Sequence, residues 1–472
     1  MEIVNEDTNQ IMDSHTSESD SQRMDKNVLT KSKDISPSRA MKIADPERRS
    51  QEFVSNGLIG CHMEEVLQEK AKQFINTKKQ IIILTPAGKP VYSYGYNEDD
   101  LAHISGIIQA IDANFSAKGE TIKSIETEDG FFVIEWITSL LFFCYTPKEG
   151  TTVLLIHEQF HLLYQQLIIL LSTTAMDRLQ KKQNYDIREL LGNSAGVLTT
   201  LIEQFDISLC YSLCCYQPVM MSPLTRSNIR DIFLRNKRDD TVYCGLGINE
   251  HIVVCLQNKS YPLQPMNQVL LQTMITKTVA YRTSEGWLPV CITDVRDNAF
   301  LHLYVGFVTD EMYVFFVTTA MDPDTFTQYS ELKDRIYNIL LESDRLIELY
   351  SLYNESFSVV DTGVENLIHF AYKNDNSQII LPRLDERIYD YRDYHKLLIK
   401  YQMIFSYMSE NNTTEYYEST SNQVFHATKR DSSVYIIVVS PFLTITDVME
   451  RKKKLTDWLL SRKDKLIQKS HM

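Results

Sequence analysis

The amino-acid sequence predicts a chain of the α/β class, of α+β type, with three antiparallel sheets that are each flanked by helices. Three observations carry this prediction. The length of 472 residues suggests about three domains. Short β-branched runs alternate with amphipathic helical stretches. The order strand–strand–helix–strand–strand–strand–helix is met twice along the chain, and a third time in weaker form.

The first round of this order opens with a hairpin, written KQIIILTPAGKPVYSYG over residues 79–95. Its first strand is β-branched, the sequence PAGKP is typical of a tight turn, and β-type residues resume at Val91. The apolar spacing then predicts an amphipathic helix over 99–117, with one stripe formed by Leu101, Ile104, Ile107, Ile108, Ile111 and Phe115. The round is completed by strands at 121–127, 131–137 and 139–146 and a long helix at 152–182.

The second round follows a connector over 183–238 that is irregular and mainly helical. The same patterns predict strands at 241–246 and 250–257, a helix over 265–281, and strands at 288–293, 299–308 and 311–318. The sequence Asp322-Pro323-Asp324 predicts the start of a last helix, which runs to about residue 349, because an acidic cap and an early proline are typical of helix starts.

The third round is the least regular, and we expect a degenerate copy. The patterns predict a strand at 358–360, a helix at 364–372, a strand at 378–381, a helix at 390–408, strands at 422–428 and 433–440 and a final helix at 445–468. The predicted domains are therefore 79–182, 239–350 and 351–472, with the connector at 183–238.

Residues 1–78 are rich in Ser, Asp, Glu, Lys and Gln, so we predict a disordered arm with a short lead-in helix at 63–75. The net charge of −14 argues against nucleic acid as a partner, because phosphate binding needs a basic surface. We expect no transmembrane helix, because we find no uncharged apolar run of about 18 residues. The acidic start is unlike a signal peptide. The eight cysteines lack paired CxxC spacing, which favours buried free thiols in a reduced cytosolic protein.

The sequence His157-Glu158-Gln159-Phe160-His161 is the HExxH pattern of zinc hydrolases, in which two histidines bind zinc and the glutamate activates water. The extended metzincin pattern fails, because Tyr164 and Leu167 occupy the places of its glycine and third histidine. We therefore keep a zinc hydrolase only as a remote alternative and expect these residues at the rim of a packed helix.

Two further features of the sequence, a Gly-Lys pair and a basic run, each have a functional and a structural interpretation. Gly88-Lys89 is a poor phosphate loop, because Pro90 removes a backbone N–H donor and Ile83 stands where a glycine is needed. The basic run Arg451-Lys452-Lys453-Lys454 lies on the predicted last helix, where it is either a solvated face or a contact with an anionic membrane. Lys78-Lys79 and Lys181-Lys182 could join that contact if the fold brought them close.

Four blocks in this sequence resemble the SAND family of vacuolar fusion proteins, which supplies the Mon subunit of the Mon–Ccz complex. They are the hairpin phrase AGKPVYSYG, the helical block LLYQQLI at 162–168, NYDIRELLG at 184–192, and EGWLPVCI at 285–292 followed by FLHLYV at 300–305. The family's hairpin carries an arginine that is missing here, because Tyr94-Gly95-Tyr96 replaces the expected order.

The resemblance implies three longin domains, the third one degenerate here, and a disordered arm that is regulatory and open to phosphorylation. It implies a heterodimer with a Ccz-type longin subunit, which acts as a guanine nucleotide exchange factor for the late-endosomal Rab GTPase. It further implies recruitment by an early-endosomal Rab and by phosphatidylinositol 3-phosphate on endosome and vacuole or lysosome membranes. Such exchange needs no cofactor, no bound metal and no covalent chemistry, so we expect a cytoplasmic regulatory protein and not an enzyme.

By the same resemblance, the first longin domain presents its sheet edge and first helix to the Rab and to the partner subunit. The residues that this predicts for the interface are Lys89, Tyr92, Tyr94, Asp99, Asp100, His103 and Gln109. The main alternative is a longin-type adaptor or tether that binds a Rab without catalysing exchange.

Overall fold

The computed structural model describes residues 79–148, 150–182, 187–278, 280–295, 300–383 and 391–468. The predicted arm at 1–78, with its lead-in helix, lies outside the described residues, as does the start of the block at 184–192. Within the described ranges the chain forms three sheets with helices between and around them. The prediction of an α+β fold with three antiparallel sheets flanked by helices is confirmed.

The first sheet has five antiparallel strands in the order β2-β1-β5-β4-β3. Its strands are β1 (Gln80–Leu84), β2 (Pro90–Tyr94), β3 (Ser124–Glu126), β4 (Gly130–Ile137) and β5 (Leu140–Pro147). Helix α1 (Glu98–Ser116) lies between β2 and β3 in the sequence, and α2 (Val153–Leu171) and α3 (Thr173–Lys181) follow β5.

The connector and the second sheet are joined by one short parallel pairing. The connector elements are α4 (Arg188–Leu191), a 3₁₀ turn (Gly192–Ser194), α5 (Ala195–Ile207), α6 (Leu209–Ser212), β6 (Gln217–Pro218) and α7 (Pro223–Asn236). The second sheet has the order β6-β8-β7-β11-β10-β9, with β6 parallel to β8. Its other elements are β7 (Thr241–Ile248), β8 (His251–Gln257), α8 (Pro265–Lys277), α9 (Ala280–Thr283), β9 (Gly286–Val290), β10 (Leu301–Phe307), β11 (Met312–Thr318), α10 (Thr325–Glu342) and α11 (Arg345–Asn354).

The third sheet has the order β13-β12-β16-β15-β14. Its elements are β12 (Leu367–Lys373), β13 (Ile379–Ile380), α12 (Tyr391–Glu410), β14 (Glu415–Ser419), β15 (Val424–Arg430), β16 (Ser433–Val439), α13 (Ile445–Ser461) and α14 (Lys463–Leu466). Counted within each round, the strand order 2-1-5-4-3 is the same in all three sheets. The prediction of a degenerate third copy is therefore wrong as regards its topology.

In the third round, two elements were predicted wrongly and one strand was missed, and each error has a structural reason. The predicted helix at 364–372 is strand β12, because its apolar residues are buried on both faces of the sheet and so lack a clean period of two. The predicted strand at 358–360 is a 3₁₀ turn (Val359–Thr362) stabilised by a Ser358–Asp361 capping box. Strand β14 was not predicted, since its polar sequence EYYES has the composition of a loop.

Three predicted helices are shorter than their apolar patterns. The helix predicted at 152–182 is broken at Ser172, whose φ of 72° cannot continue an α-helix. The helix predicted from 322 to 349 is broken at Asp344, which has a left-handed backbone. The helix predicted at 265–281 ends at Lys277. The apolar periodicity of a sequence does not reveal a helix break that depends on the backbone angle of a single residue.

Helix α2 is central to the packing of the first two sheets. Ile81 and Ile83 of β1 face a core that includes α2, α5 and α8 and continues into the second sheet. Ile82 and Leu84 point to the opposite face, where α1 covers them. The backbone N–H of Cys291 donates to the carbonyl of Ile169 at 2.9 Å. The first and second sheets therefore share one hydrophobic core.

By length and composition, α2 is the one helix among the described residues that could cross a membrane, with Glu158 its single carboxylate. Because it contains Glu158, this helix is not the uncharged apolar run whose absence led us to expect no transmembrane helix. More than half of the helix is buried within the protein, between the first sheet, the connector and the second sheet. This packing is that of a core helix.

The second and third sheets are joined by the connector at Tyr216. Its backbone N–H donates to Ser377 at 3.0 Å and its carbonyl accepts from Ile379 at 2.9 Å, while the next residues pair with β8. Its hydroxyl accepts from the amide of Gln468, which also exchanges two hydrogen bonds with Gln378. All three of these side chains are buried, so this polar network fixes the end of the described chain against both sheets.

Candidate functional site

The hairpin turn between β1 and β2 is held against α1. Thr85 accepts from the backbone N–H groups of Gly88 and Lys89, through its carbonyl at 2.9 Å and its hydroxyl at 3.1 Å. Gly88 has a φ of +75°, and a Cβ there would lie 2.2 Å from the side chain of Gln109. Glycine is therefore favoured by the backbone angle, and any side chain there would also have to displace the end of the Gln109 side chain. Gln109 serves this contact and is half-buried.

Four of the predicted interface residues are exposed in the first domain. Lys89 lies in the turn, while Asp99, Asp100 and His103 lie in the first turns of α1. Carboxylates in the first turn of a helix also interact favourably with its dipole, so the two aspartates stabilise α1 as well as being accessible. We call the hairpin turn and the outward side of α1 the hairpin–helix surface.

The two predicted tyrosines are less accessible than these four residues. Tyr92 is buried, and its hydroxyl is 2.7 Å from the Thr199 hydroxyl on α5. Burial raises the pKa of Tyr92 to about 12. Tyr94 is half-buried, and burial, followed by the nearby charges of Glu203 and Asp206, raises its pKa. The prediction that Tyr92 is presented to a partner is wrong, because this side chain links the hairpin to the connector.

The outward side of α1 holds residues that the sequence reasoning missed. Ile107 was assigned to the buried stripe of α1, but its side chain is 47% exposed. It lies among Ala102, Gly106 and Ala110, which are exposed and follow one another at intervals of four. Small residues at this spacing would let a partner approach the helix backbone closely. The signal in the sequence is that Ile107 is next to Ile108, and one apolar stripe cannot bury both equally.

The HExxH histidines are held by a carboxylate of the first sheet. His157 Nδ1 is 2.7 Å from Glu135 Oε2 and His161 Nε2 is 3.3 Å from Glu135 Oε1. Partial burial raises the pKa of Glu135, but hydrogen bonds from the two histidines outweigh it and lower that pKa to about 2. Direct hydrogen bonding at these distances leaves no space for a metal ion between His157 and Glu135.

The glutamate of the same pattern faces the other way. Glu158 lies near Lys429 and Cys214, on the side of α2 toward the third domain, and its Oε2 is buried without a hydrogen-bond partner. Burial raises the pKa of Glu158 to about 7. Among the described residues no group of three or more His, Cys, Asp or Glu could hold a metal ion. The histidines and the glutamate of the HExxH pattern therefore lie on different sides of the packed helix α2, in separate structural environments.

The predicted basic run on α13 is partly neutralised. Arg451 pairs with Glu450 at 3.3 Å and Lys454 pairs with the same carboxylate at 2.9 Å. Lys452 is half-buried and Lys453 is exposed. Contact of this run with a membrane stays a prediction. Lys79 cannot contribute to it, because it is buried against Asp206 at 2.7 Å.

The seven described cysteines are all free. Five of them are buried, as expected for thiols that serve as small apolar side chains, while Cys210 and Cys214 are half-buried. Cys61 lies outside the described residues.

Comparison with protein families gives two matches along the chain. The model of the first longin domain of FUZ, MON1 and HPS1 matches residues 79–201, and the model of the second longin domain of the same proteins matches residues 239–338. The first match contains the whole first sheet, helix α2 and the start of α5. It therefore includes the hairpin–helix surface and extends past residue 182 into the predicted connector.

Curated relatives match over most of the chain. Vacuolar fusion protein MON1 homolog A of Gallus gallus is 24% identical over 394 residues, which cover 82% of this chain and 72% of the relative. Protein SAND of Takifugu rubripes is 23% identical over 394 residues, with 82% and 76% covered. Vacuolar fusion protein MON1 of Yarrowia lipolytica is 23% identical over 351 residues, with 73% and 64% covered.

Among solved structures, a bacteriophytochrome of R. palustris aligns with 82% of this chain and 97% of its own at 10% identity, but a TM-score of 0.15 carries no structural argument. The two longin matches and the relatives carry the assignment, together with the three sheets of equal strand order. The chain belongs to the SAND/Mon1 family of longin-domain proteins.

Proposed function

We propose that this chain is a regulatory subunit that acts in vacuolar fusion and endosome maturation. Its partner is a Ccz-type longin subunit, and the pair is a guanine nucleotide exchange factor for the late-endosomal Rab GTPase. The pair acts in the cytoplasm, at the surface of endosomes and of the vacuole or lysosome. An early-endosomal Rab and phosphatidylinositol 3-phosphate recruit the pair. The family relationship supports this proposal.

The observation that carries the proposal is the uncovered side of α1. This helix is fixed to its sheet by Leu101 and Ile108, while Ile107 and its small neighbours face outward. A rigid helix with an exposed apolar residue between small ones is suited to binding another folded protein. The adjoining Asp99, Asp100 and His103 add charge and hydrogen-bonding groups at the end of the same helix.

Exchange of this kind is a matter of linked binding equilibria. A pair that binds the nucleotide-free GTPase more tightly than the loaded form must weaken nucleotide binding by the same factor. The chain needs a complementary surface for this and no catalytic constellation. The histidines of the HExxH pattern are occupied by Glu135, which supports a role without bond-breaking chemistry.

The test is the release of a fluorescent GDP analogue from the late-endosomal Rab on vesicles that carry phosphatidylinositol 3-phosphate. This chain alone, its Ccz-type partner alone and the co-purified pair are compared. The proposal expects accelerated release only with the pair. A stable pair that binds the Rab without accelerating release would overturn the exchange proposal and favour an adaptor or tether.

A further inference from the structure

The start of α13 in the third domain exposes large apolar side chains at a protruding turn. Phe442 lies in the turn after β16 and is 92% exposed, and Ile445 and Met449, in the first turns of the helix, are 59% and 44% exposed. Ile445 and Met449 are four residues apart and so lie on one side of the helix. Single exposed apolar residues are ordinary, whereas three that follow one another at one protrusion indicate a binding surface.

This exposure is not the result of a loosely packed helix. Thr444 and Asp447 form a capping box, in which the carboxylate accepts from the Thr444 backbone at 3.0 Å and the Thr444 hydroxyl accepts from the Asp447 backbone at 3.3 Å. The adjoining side of α13 buries Val448, Leu455 and Leu459 in the core of the third domain. The helix is therefore fixed, and its first turns hold the apolar side chains outward.

Basic residues flank the apolar side chains. Lys452 and Lys453 lie one turn further along α13, where Lys453 is exposed and Lys452 is half-buried. Burial lowers the pKa of Lys452 although Glu415 of β14 lies nearby. Arg430 of β15 is exposed and also close to Lys452. Asp447 is engaged in the cap, and Glu450 in its ion pairs with Arg451 and Lys454. Residues 445–454, next to the turn, contain four basic and two acidic residues, a net charge of +2 in a chain that carries −14. Positive charge is thus concentrated beside the protruding apolar turn.

We propose that Phe442, Ile445 and Met449 form an apolar wedge that inserts into an anionic bilayer, while Arg430, Lys452 and Lys453 contact the lipid headgroups. A convex apolar tip with a basic border fits the boundary between acyl chains and anionic headgroups. The inference deepens the proposed function and rests on it only for the membrane as the place of action. It adds the side chains that enter the membrane to the basic run on α13.

The first experiment measures binding of the full chain to vesicles of phosphatidylcholine, with and without phosphatidylserine. The wedge variant carries Phe442→Ser, Ile445→Ser and Met449→Ser. The control carries Leu224→Ser and Ile347→Ser, which change an apolar residue of the connector and one of the second domain that are 72% and 71% exposed. We expect the unmodified chain and the control to bind the anionic vesicles alike, and the wedge variant to bind at least about tenfold more weakly.

The second experiment reports insertion directly. Phe442→Trp and Leu224→Trp variants are bound to anionic vesicles whose acyl chains carry bromine, and quenching is compared with that of the three native tryptophans. We expect added quenching for Phe442→Trp and none for Leu224→Trp. A bound chain without added quenching, or no binding to anionic vesicles, would overturn the proposal and assign the wedge to a protein partner. No GTPase is present, so neither result depends on the exchange proposal.

Discussion

Helices α1 and α12 hold equivalent places in the chain order of the first and third sheets, but they are packed differently. The middle of α12 is buried on several sides, with Tyr401 toward the third sheet and Gln402 donating to the carbonyl of Phe205 at 2.9 Å. It contacts α2, α5 and α6 as well as its own sheet. Helix α1 instead leaves Ile107 and its small neighbours uncovered.

The comparison shows that two domains with the same strand order can expose different surfaces. The same strand order supports a helix that joins the third domain to the first domain and the connector in one case and a helix with a free side in the other. The function of each copy therefore depends on what covers its first helix. Substitutions in the two helices should consequently differ in kind, with loss of stability at α12 and loss of binding at α1.

The largest expected effect is on stability at α12. Tyr401→Ala should lower the free energy of unfolding by about 3–5 kcal/mol, because it removes a fully buried ring and the hydroxyl that lies 2.9 Å from His369 Nδ1. The matched change at α1, Ile107→Ala, should alter it by no more than about 0.5 kcal/mol. Urea denaturation of both variants measures the difference. Equal losses would contradict the comparison.

A second prediction concerns the two sides of α2, since Glu135 binds its histidines on one side and Glu158 lies buried on the other. The pKa of Glu158 is raised to about 7, so the folded state holds its proton between the unfolded pKa near 4.5 and about pH 7. The contribution of Glu158 to the free energy of unfolding is thus fully present below pH 4.5 and is lost as the pH rises through 7. Glu158→Gln should stabilise the chain by about 1–3 kcal/mol at pH 8 and much less at pH 5.

Denaturation midpoints of the two chains at several pH values test this prediction. The control is Glu135→Gln, on the opposite side of the helix. The pKa of Glu135 is lowered to about 2, so its stabilisation is present above pH 4.5 and lost as the pH falls toward 2. This variant should therefore be destabilised at pH 6. A gain for Glu158→Gln that is independent of pH would be inconsistent with a buried titrating carboxylate.

The third and smallest prediction concerns the turn that is held against α1. Gly119→Ala should cost about 1 kcal/mol, because its φ of +74° strains a side chain but nothing lies near the new Cβ. Gly88→Ala has a nearly identical φ and should cost up to about 1 kcal/mol more, because the flexible end of the Gln109 side chain has to move away from the new Cβ. Adding Gln109→Ala should remove the extra cost. If Gly88→Ala cost more and Gln109→Ala did not remove the extra cost, the Gln109 side chain would not be its source.

The sequence was sufficient for the fold class and for the position of most elements, because β-branched and aromatic runs bounded by turn residues are clear in β1 and the second sheet and the helical pattern is clear in α1. It failed where one backbone angle ends a helix, as at Ser172 and Asp344, and where a strand is buried on both faces, as in β12. The candidate site was predicted in part. Its exposed charged residues were identified, whereas the burial of Tyr92 depends on α5, which is distant in the sequence.

The most direct test of the central claim is nucleotide release by the co-purified pair that carries Ile107→Glu in this chain. Leu224→Glu is the matched control, because it adds the same charge at an exposed apolar residue of the connector. We predict that Ile107→Glu lowers the acceleration of release at least about tenfold, a change of about 1.4 kcal/mol, while the control keeps it. Equal activity of the two variants would contradict a binding role for the outward side of α1.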